Sequence, residues 1–298
     1  MAQRHFAGHQ FTPSTLVPNP FVMTNLTSTT GFGSTLDLKV PVVNLDGEKI
    51  GELKSDIAFM LLQFDYQQSI GDRYVLRTDV LGTTRAGTGA AALLVEGLSA
   101  LYGWGLGGSA RLVRKPNWQL SATADVRSNT LFKMSPIGFV REVVGAIGAG
   151  DSTGALQAGE DSLLVQGNNV RILGGFRGVY TPTPSVGFQG FLEAGIGDRF
   201  TGDTSNTTAL NGGVGVSFDL NPLTKIPVGF LGSYRGEKLS ERGDDVGGAN
   251  SLGFGIFYTG RQFFAVGLEN TWSRLRQTGS DTKVDAFQAR FVLSYDFN

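Results

Sequence analysis

The sequence predicts an all-β chain of about twelve long antiparallel strands in up-and-down order. Three observations predict it. Residue types alternate with a period of two over long runs, and helical periodicity is nearly absent. Tight turns alternate with longer connections along the chain. The composition is unlike that of a helical protein, with 43 Gly in 298 residues, 21 Phe and only 17 % charged residues. Gly is thus at roughly double its usual ~7 %.

The strands are expected in the following order. Segments 34–44 and 52–69 flank Asp46-Gly47, a type I′ hairpin signal, and Gly71-Asp72-Arg73 turns the chain into 74–84. After a long connection at 85–100, strands 101–114 and 118–131 meet at Lys115-Pro116-Asn117. The second of these has the clearest pattern. Trp118, Leu120, Ala122, Ala124 and Val126 fall on one face, and Gln119, Ser121, Thr123, Asp125 and Arg127 on the other. A long connection at 132–167 leads to 168–181 and 185–199, joined at Pro182-Thr183-Pro184. Beyond 200–207, strands 208–220 and 226–238 meet at Asn221-Pro222. Beyond 239–249, strands 250–259 and 263–275 meet at Gly260-Arg261-Gln262. Residues 276–281 lead to 282–297, where Phe287, Ala289, Phe291, Leu293, Tyr295 and Phe297 share a face. One end of the sheet therefore has tight turns and the other has long loops.

Alternation alone does not say which face is inside. Strands of mostly 10–16 residues exceed the ~5–6 of soluble sheets and suit the ~9–11 needed to cross a bilayer at a tilt. Mid-strand charges fall almost wholly on one parity, where they escape the cost of about 2–4 kcal/mol for a lipid-facing charge. Aromatic residues such as Tyr66, Tyr74, Trp104, Trp118, Tyr180, Tyr234, Tyr258 and Trp272 fall near strand ends, as interfacial girdles do. The reading is a transmembrane β-barrel over 34–298, with short periplasmic turns and long extracellular loops.

This pattern and the terminal strand Phe291-Val292-Leu293-Ser294-Tyr295-Asp296-Phe297-Asn298 resemble the bacterial outer-membrane β-barrel superfamily of porins and channels. The resemblance implies a lipid bilayer as surroundings and the outer-membrane assembly machinery as a partner. Barrels of this kind commonly end in an aromatic residue, whereas here Phe297 is followed by Asn298. The implied location is the outer membrane of a Gram-negative-type bacterium. The first twenty residues have no apolar core that could serve as a signal peptide, so a signal is expected to have been removed ahead of Met1.

Composition excludes several chemistries. No Cys means no disulfide scaffold, thiolate metal site or cysteine nucleophile. A net charge of −1 with dispersed charges does not suit nucleic acid. The only histidines, His5 and His9, precede every expected strand, so a barrel-borne histidine base is not expected, nor is an enzyme. Gly103-Trp104-Gly105-Leu106-Gly107-Gly108 has neither the following helix nor the Lys-Ser/Thr of a phosphate loop. Asp244-Asp245 has no calcium-loop spacing around it. No cofactor and no metal are expected.

The candidate functional residues are the sorted charges. Arg77, Asp79, Arg111, Asp125, Arg127, Arg171, Arg177, Glu193, Arg235, Glu269 and Arg290 are expected to line the lumen. Two readings stand for them: Arg–carboxylate ladders filling a closed barrel, or the wall of a water-filled path. Apolar loop stretches containing Leu93, Leu94 and Ile137, Phe139, Val143 suggest a greasy vestibule, a weaker likeness to barrels that take up hydrophobic compounds. Residues 1–33, with Phe6, Phe11, Leu16, Phe21 and Met23 spaced through Pro, Thr and Asn, are either a plug or a periplasmic tail, and their aromatics favour the plug. The functional expectation is passive uptake of a small solute, with a hydrophobic one among the candidates. The alternative is a closed structural barrel whose loops bind a partner protein or complex, and an oligomer is also open.

Overall fold

The computed structural model describes residues 4–36, 38–43, 49–87, 98–134, 145, 164–198, 207–241, 244–276 and 283–297. The chain starts with a two-residue-strand hairpin, β1 (His5–Phe6) and β2 (His9–Gln10). There follow β3 (Thr24–Leu36), β4 (Leu38–Val43), β5 (Lys49–Ser55), β6 (Ile57–Ile70), β7 (Tyr74–Gly87) and β8 (Leu98–Arg114). Next come β9 (Trp118–Met134), β10 (Leu164–Thr183), β11 (Val186–Gly197) and β12 (Thr207–Asp219). A single helical turn, α1 (Asn221–Thr224), precedes β13 (Val228–Glu241), β14 (Asp244–Arg261), β15 (Phe264–Arg276) and β16 (Lys283–Phe297).

Twelve strands, β3 and β6 through β16, close into one antiparallel barrel. The seam joins β16 to β3 in continuous register from Phe297↔Thr24 to Asp285↔Leu36. Closure leaves no open edge, so ladder hydrogen bonds are made within the wall, the condition for strands to stand in hydrocarbon.

The alternation is inverted relative to a soluble sheet. In β9, Gln119, Ser121, Thr123 and Asp125 are buried inside at 0–7 % exposure, while Trp118 faces out. The outer wall exposes Phe32, Phe64, Leu76, Trp104, Ile172, Phe254 and Leu268. In water such a surface would far exceed the apolar patches soluble proteins tolerate; in a bilayer it is matched by acyl chains. Tyr66, Tyr74, Trp118, Tyr180 and Tyr258 lie towards the short-turn end, Tyr102 and Trp272 towards the other, whereas Trp104 and Tyr234, also expected near strand ends, lie near mid-strand.

Three expectations change. The barrel begins at Thr24, not at 34: Thr24–Gly33 is strand, and its alternation is weak because Leu26 and Phe32 are the only large apolar residues among its Thr, Ser, Asn and Gly. The expected strands 34–44 and 52–69 divide, since β4 and β5 form their own two-stranded sheet at the long-loop end of β3 and β6. Asp46-Gly47 lies outside the described residues. The connection expected at 239–249 is mostly strand: β13 runs to Glu241 and β14 starts at Asp244, with a register shift at Leu239/Ser240.

Candidate functional site

The interior is built from two contributions: the inward residues of the wall and residues 4–23, which lie within it. The segment starts at the short-turn end with the β1–β2 hairpin, whose two turn residues both have positive φ (Ala7 52°, Gly8 84°), the geometry of a type I′ turn. Arg4 pairs with Asp296 of β16 through two contacts, Nη2–Oδ1 at 2.8 Å and Nε–Oδ2 at 3.1 Å. Asn25 also donates to Asp296 Oδ1 at 2.8 Å. The guanidinium of Arg114 covers the Phe6 ring.

His9 is fully buried. Its Nδ1 is 3.1 Å from the Pro184 carbonyl and its Nε2 is 2.6 Å from Ser217 Oγ. A carbonyl only accepts, so Nδ1 carries the proton and neutral Nε2 accepts from Ser217. Burial pushes the His9 pKa below its ordinary value, although the Pro184 carbonyl and Asp219 oppose the shift. Gly187 is the residue under this ring: a Cβ there would press on the His9 and Phe11 rings at 2.4–2.6 Å. The segment then rises to mid-height. Thr15 N donates to Glu269 Oε2 at 2.8 Å, and Arg290 donates to the Thr15 hydroxyl. On the way back, Gln119 donates to the Pro20 carbonyl at 3.0 Å, and Gln67 to the carbonyls of Phe21 and Met23 at 3.1 and 3.0 Å.

The segment's composition suits this path. Pro13, Pro18 and Pro20 have no N–H to satisfy, and wall amides meet exposed carbonyls. Phe6, Phe11, Phe21 and Met23 pack with Val179 of β10 as one buried apolar cluster. A second cluster, Leu231, Phe257 and Val292, belongs to the wall.

The charged wall residues form two groups. Asp125 of β9 is the centre of the first. It accepts from Arg177 Nη2 at 3.0 Å, pairs with Arg77, and has Arg127 at 4.0 Å. Arg177 also donates to Glu193 at 2.6 Å, and both of these side chains are 1 % exposed. Gly105 and Gly107 make this possible, since a Cβ at either would collide with the Asp79 or Asp125 carboxylate. The second group lies nearer the long-loop end: Arg171 Nη1 is 3.2 Å from Glu237 Oε1 and Arg235 is 3.9 Å from the same carboxylate, all about a quarter exposed. Between these groups and residues 12–21 is a cavity of about 410 Å³, lined also by Asp65, Asp79, Asn129 and Asn211.

Of the sequence-predicted residues, Arg77, Asp125, Arg127, Arg177 and Glu193 come together as one cluster, Arg171 and Arg235 join through Glu237, and Glu269 and Arg290 meet at Thr15. Asp79 lines the cavity. Arg111 stands apart near the short turns, its backbone N–H bonded to the Arg73 carbonyl. The vestibule residues Leu93, Leu94, Ile137, Phe139 and Val143 lie outside the described residues. Sequence reasoning missed His9, Asp296 and Glu237 as anchors. Among the described residues, no three His, Asp or Glu converge as a metal site.

No protein-family model and no curated protein matches the chain. Solved structures match it in fold. The β domain of the Bordetella autotransporter BrkA aligns with a TM-score of 0.51 at 11 % identity, over 92 % of this chain and 100 % of that one. A Pseudomonas aeruginosa FadL homologue gives 0.51 at 12 %, over 100 % and 99 %. An outer membrane channel from Pseudomonas putida F1 gives 0.50 at 11 %, over 96 % and 100 %. The shared feature is the architecture of bacterial outer-membrane β-barrels.

Proposed function

We propose that the chain is an outer-membrane uptake barrel of a Gram-negative-type bacterium through which a small solute diffuses passively. The observation that carries this reading is a charged cavity of about 410 Å³ inside a closed wall whose outside is apolar. The solute enters from the long-loop side and is met by Arg171, Arg235 and Glu237. It passes on when residues 4–23 yield, so the segment acts as a gate. Guanidinium and carboxylate groups sharing one cavity favour a polar solute with both donors and acceptors. An apolar solute would have to be handled by the stretches around Leu93 and Ile137. The reading contains no catalytic step: both ring nitrogens of His9 are engaged in seating the segment.

A specific observation favours a second reading. The Asp125 cluster is an interior ion-pair network that fills the wall side of the lumen, as in a closed structural barrel whose loops bind a partner. Conductance in planar bilayers separates the two. The uptake reading expects small or flickering steps from the full chain and larger steady steps from a variant lacking residues 4–20. An Arg4→Ala variant, which keeps the segment but loosens it, is expected to fall between. Folded barrels that are silent in all three cases would overturn uptake.

A further inference from the structure

The outer wall carries one feature that the uptake reading does not use. At the long-loop end of β12 to β16, the register places Leu210, Lys238, Gly248, Arg276 and Lys283 side by side in one outward row. The outward row below it is Gly212, Gly236, Asn250, Arg274 and Asp285. Below that comes an apolar row of Val214, Tyr234, Leu252, Trp272 and Phe287. The three glycines leave a groove of about 540 Å³ in the wall, bordered by Lys238, Arg274, Arg276 and Lys283.

Glu237 also borders the groove, but its carboxylate pairs with Arg171 on the lumen side, so the outward charge is one-sided. Asp285 is the only carboxylate in the two upper rows, and Arg274 holds it by a bidentate pair at 2.8 and 3.0 Å while lying 5.0 Å from the centre of the Trp272 ring. Among the described residues, Lys238 and Lys283 make no ion pair, whereas Arg276 is already engaged, so the groove's available cations are the two lysines. Outward positions near the same end of other strands hold uncharged residues such as Ala86, Ala100, Thr130 and Ile196. A cationic row directly above an aromatic and aliphatic row is the order in which a bilayer presents headgroup phosphates above acyl chains. Glycine in the wall lets a bulky headgroup come close to the backbone.

We propose that this groove binds the phosphate groups of an anionic glycolipid of the outer leaflet, with the acyl chains lying against Tyr234, Leu252, Trp272 and Phe287. The proposal rests on the membrane placement above, with long loops outward, and is independent of transport. Cations near an anionic membrane surface contribute enough that each lysine removed is expected to weaken binding about fivefold, so about twenty-five-fold for the two. The test is native mass spectrometry of the detergent-purified full chain with diphosphoryl lipid A, its monophosphoryl form, phosphatidylglycerol and inorganic phosphate as separate probes. Diphosphoryl lipid A is expected to be retained best and inorganic phosphate not at all.

The double variant Lys238→Ala, Lys283→Ala should lose most of that retention while keeping the heat-modifiable gel mobility of a folded barrel. A second variant, Gly212→Leu, fills the groove without touching a charge; a Cβ at Gly212 meets Leu192 only at 3.4 Å, so it should fold and also lose the lipid. Equal retention by wild type and both variants, or no preference for diphosphoryl lipid A over phosphatidylglycerol, would overturn the proposal. Failure of conductance with lipid retained would instead count against uptake alone.

Discussion

The two halves of the lumen are closed by different physics. Towards the short turns, the interior is filled by chain: residues 4–23 bring a Phe-rich cluster, a neutral buried histidine and carbonyls that wall amides satisfy one by one. Towards the long loops, the interior is lined by charges that answer one another across strands around an unfilled cavity. The first half is held by packing of the segment and by the Arg4–Asp296 ion pair that ties the segment to the wall. The second half is held by ion pairs fixed to a rigid barrel. The difference teaches that the two means of filling the lumen need not share residues: under the proposed reading the segment is the removable part, the gate, and the charged wall is the permanent part, the filter.

The largest expected effect lies where the permanent part is most buried. Asp125→Ala strips Arg77 and Arg177 of their shared carboxylate and leaves buried cations. Breaking a buried pair by removing one partner costs about 3–5 kcal/mol, to be read as a shift in the urea unfolding curve of the refolded barrel. An unchanged curve would mean that water reaches these guanidiniums and that the two halves are less distinct than described.

Loosening the removable part should cost less and show elsewhere. Arg4→Ala leaves Asp296 inside but still receiving Asn25, so a loss of about 1–3 kcal/mol is expected for the unmet acceptor. Its signature is specific: the segment becomes open to protease while the barrel stays folded. Protease resistance equal to wild type would place the main hold at Thr15 and the Phe cluster instead.

The seat should also respond to acid. His9 is pushed below its usual 6.5 by burial, so the released segment binds more protons than the seated one. Seating is therefore favoured fully above about pH 6.5 and is lost progressively as pH falls from there through the depressed value. Open probability in planar bilayers should rise on acidification, and a His9→Gln variant, which does not titrate, should flatten the profile. A rise of equal size in His9→Gln would assign the acid response to the wall carboxylates.

How much of this was legible differs between the halves for the same reason. Strand positions and inward parity follow from a period of two, so Asp125, Arg177 and Glu193 could be placed on the inner face from the sequence. That they meet at one carboxylate needs the register of β9, β10 and β11, which alternation does not encode. The segment has no period at all: Pro13, Pro18 and Pro20 break any pattern, and only the spaced Phe residues suggested burial. Thr24 to Gly33 hid as strand because Thr and Ser fill both faces, although β-branched Thr suits a strand. Asp296 looked like an ordinary inward charge near the C-terminus, since its partner Arg4 is at the other end of the sequence.

The smallest expected energetic effect tests the filter. Glu237 meets Arg171 at 3.2 Å and Arg235 at 3.9 Å with all three side chains about a quarter exposed. Pairs this wet contribute about 0.2–1 kcal/mol, so Glu237→Gln should barely move the unfolding curve. Its electrical effect should be larger, because a cavity with low-dielectric walls concentrates the field of each fixed charge. Removing the carboxylate leaves Arg171 and Arg235 uncompensated at the mouth of the cavity. The reversal potential in a KCl gradient should therefore shift towards anion selectivity, and Arg171→Gln should shift it the opposite way. Equal and opposite shifts would place the conducting path beside this group. Two unchanged potentials would mean that ions pass elsewhere, and the charged half would then be scaffold rather than filter.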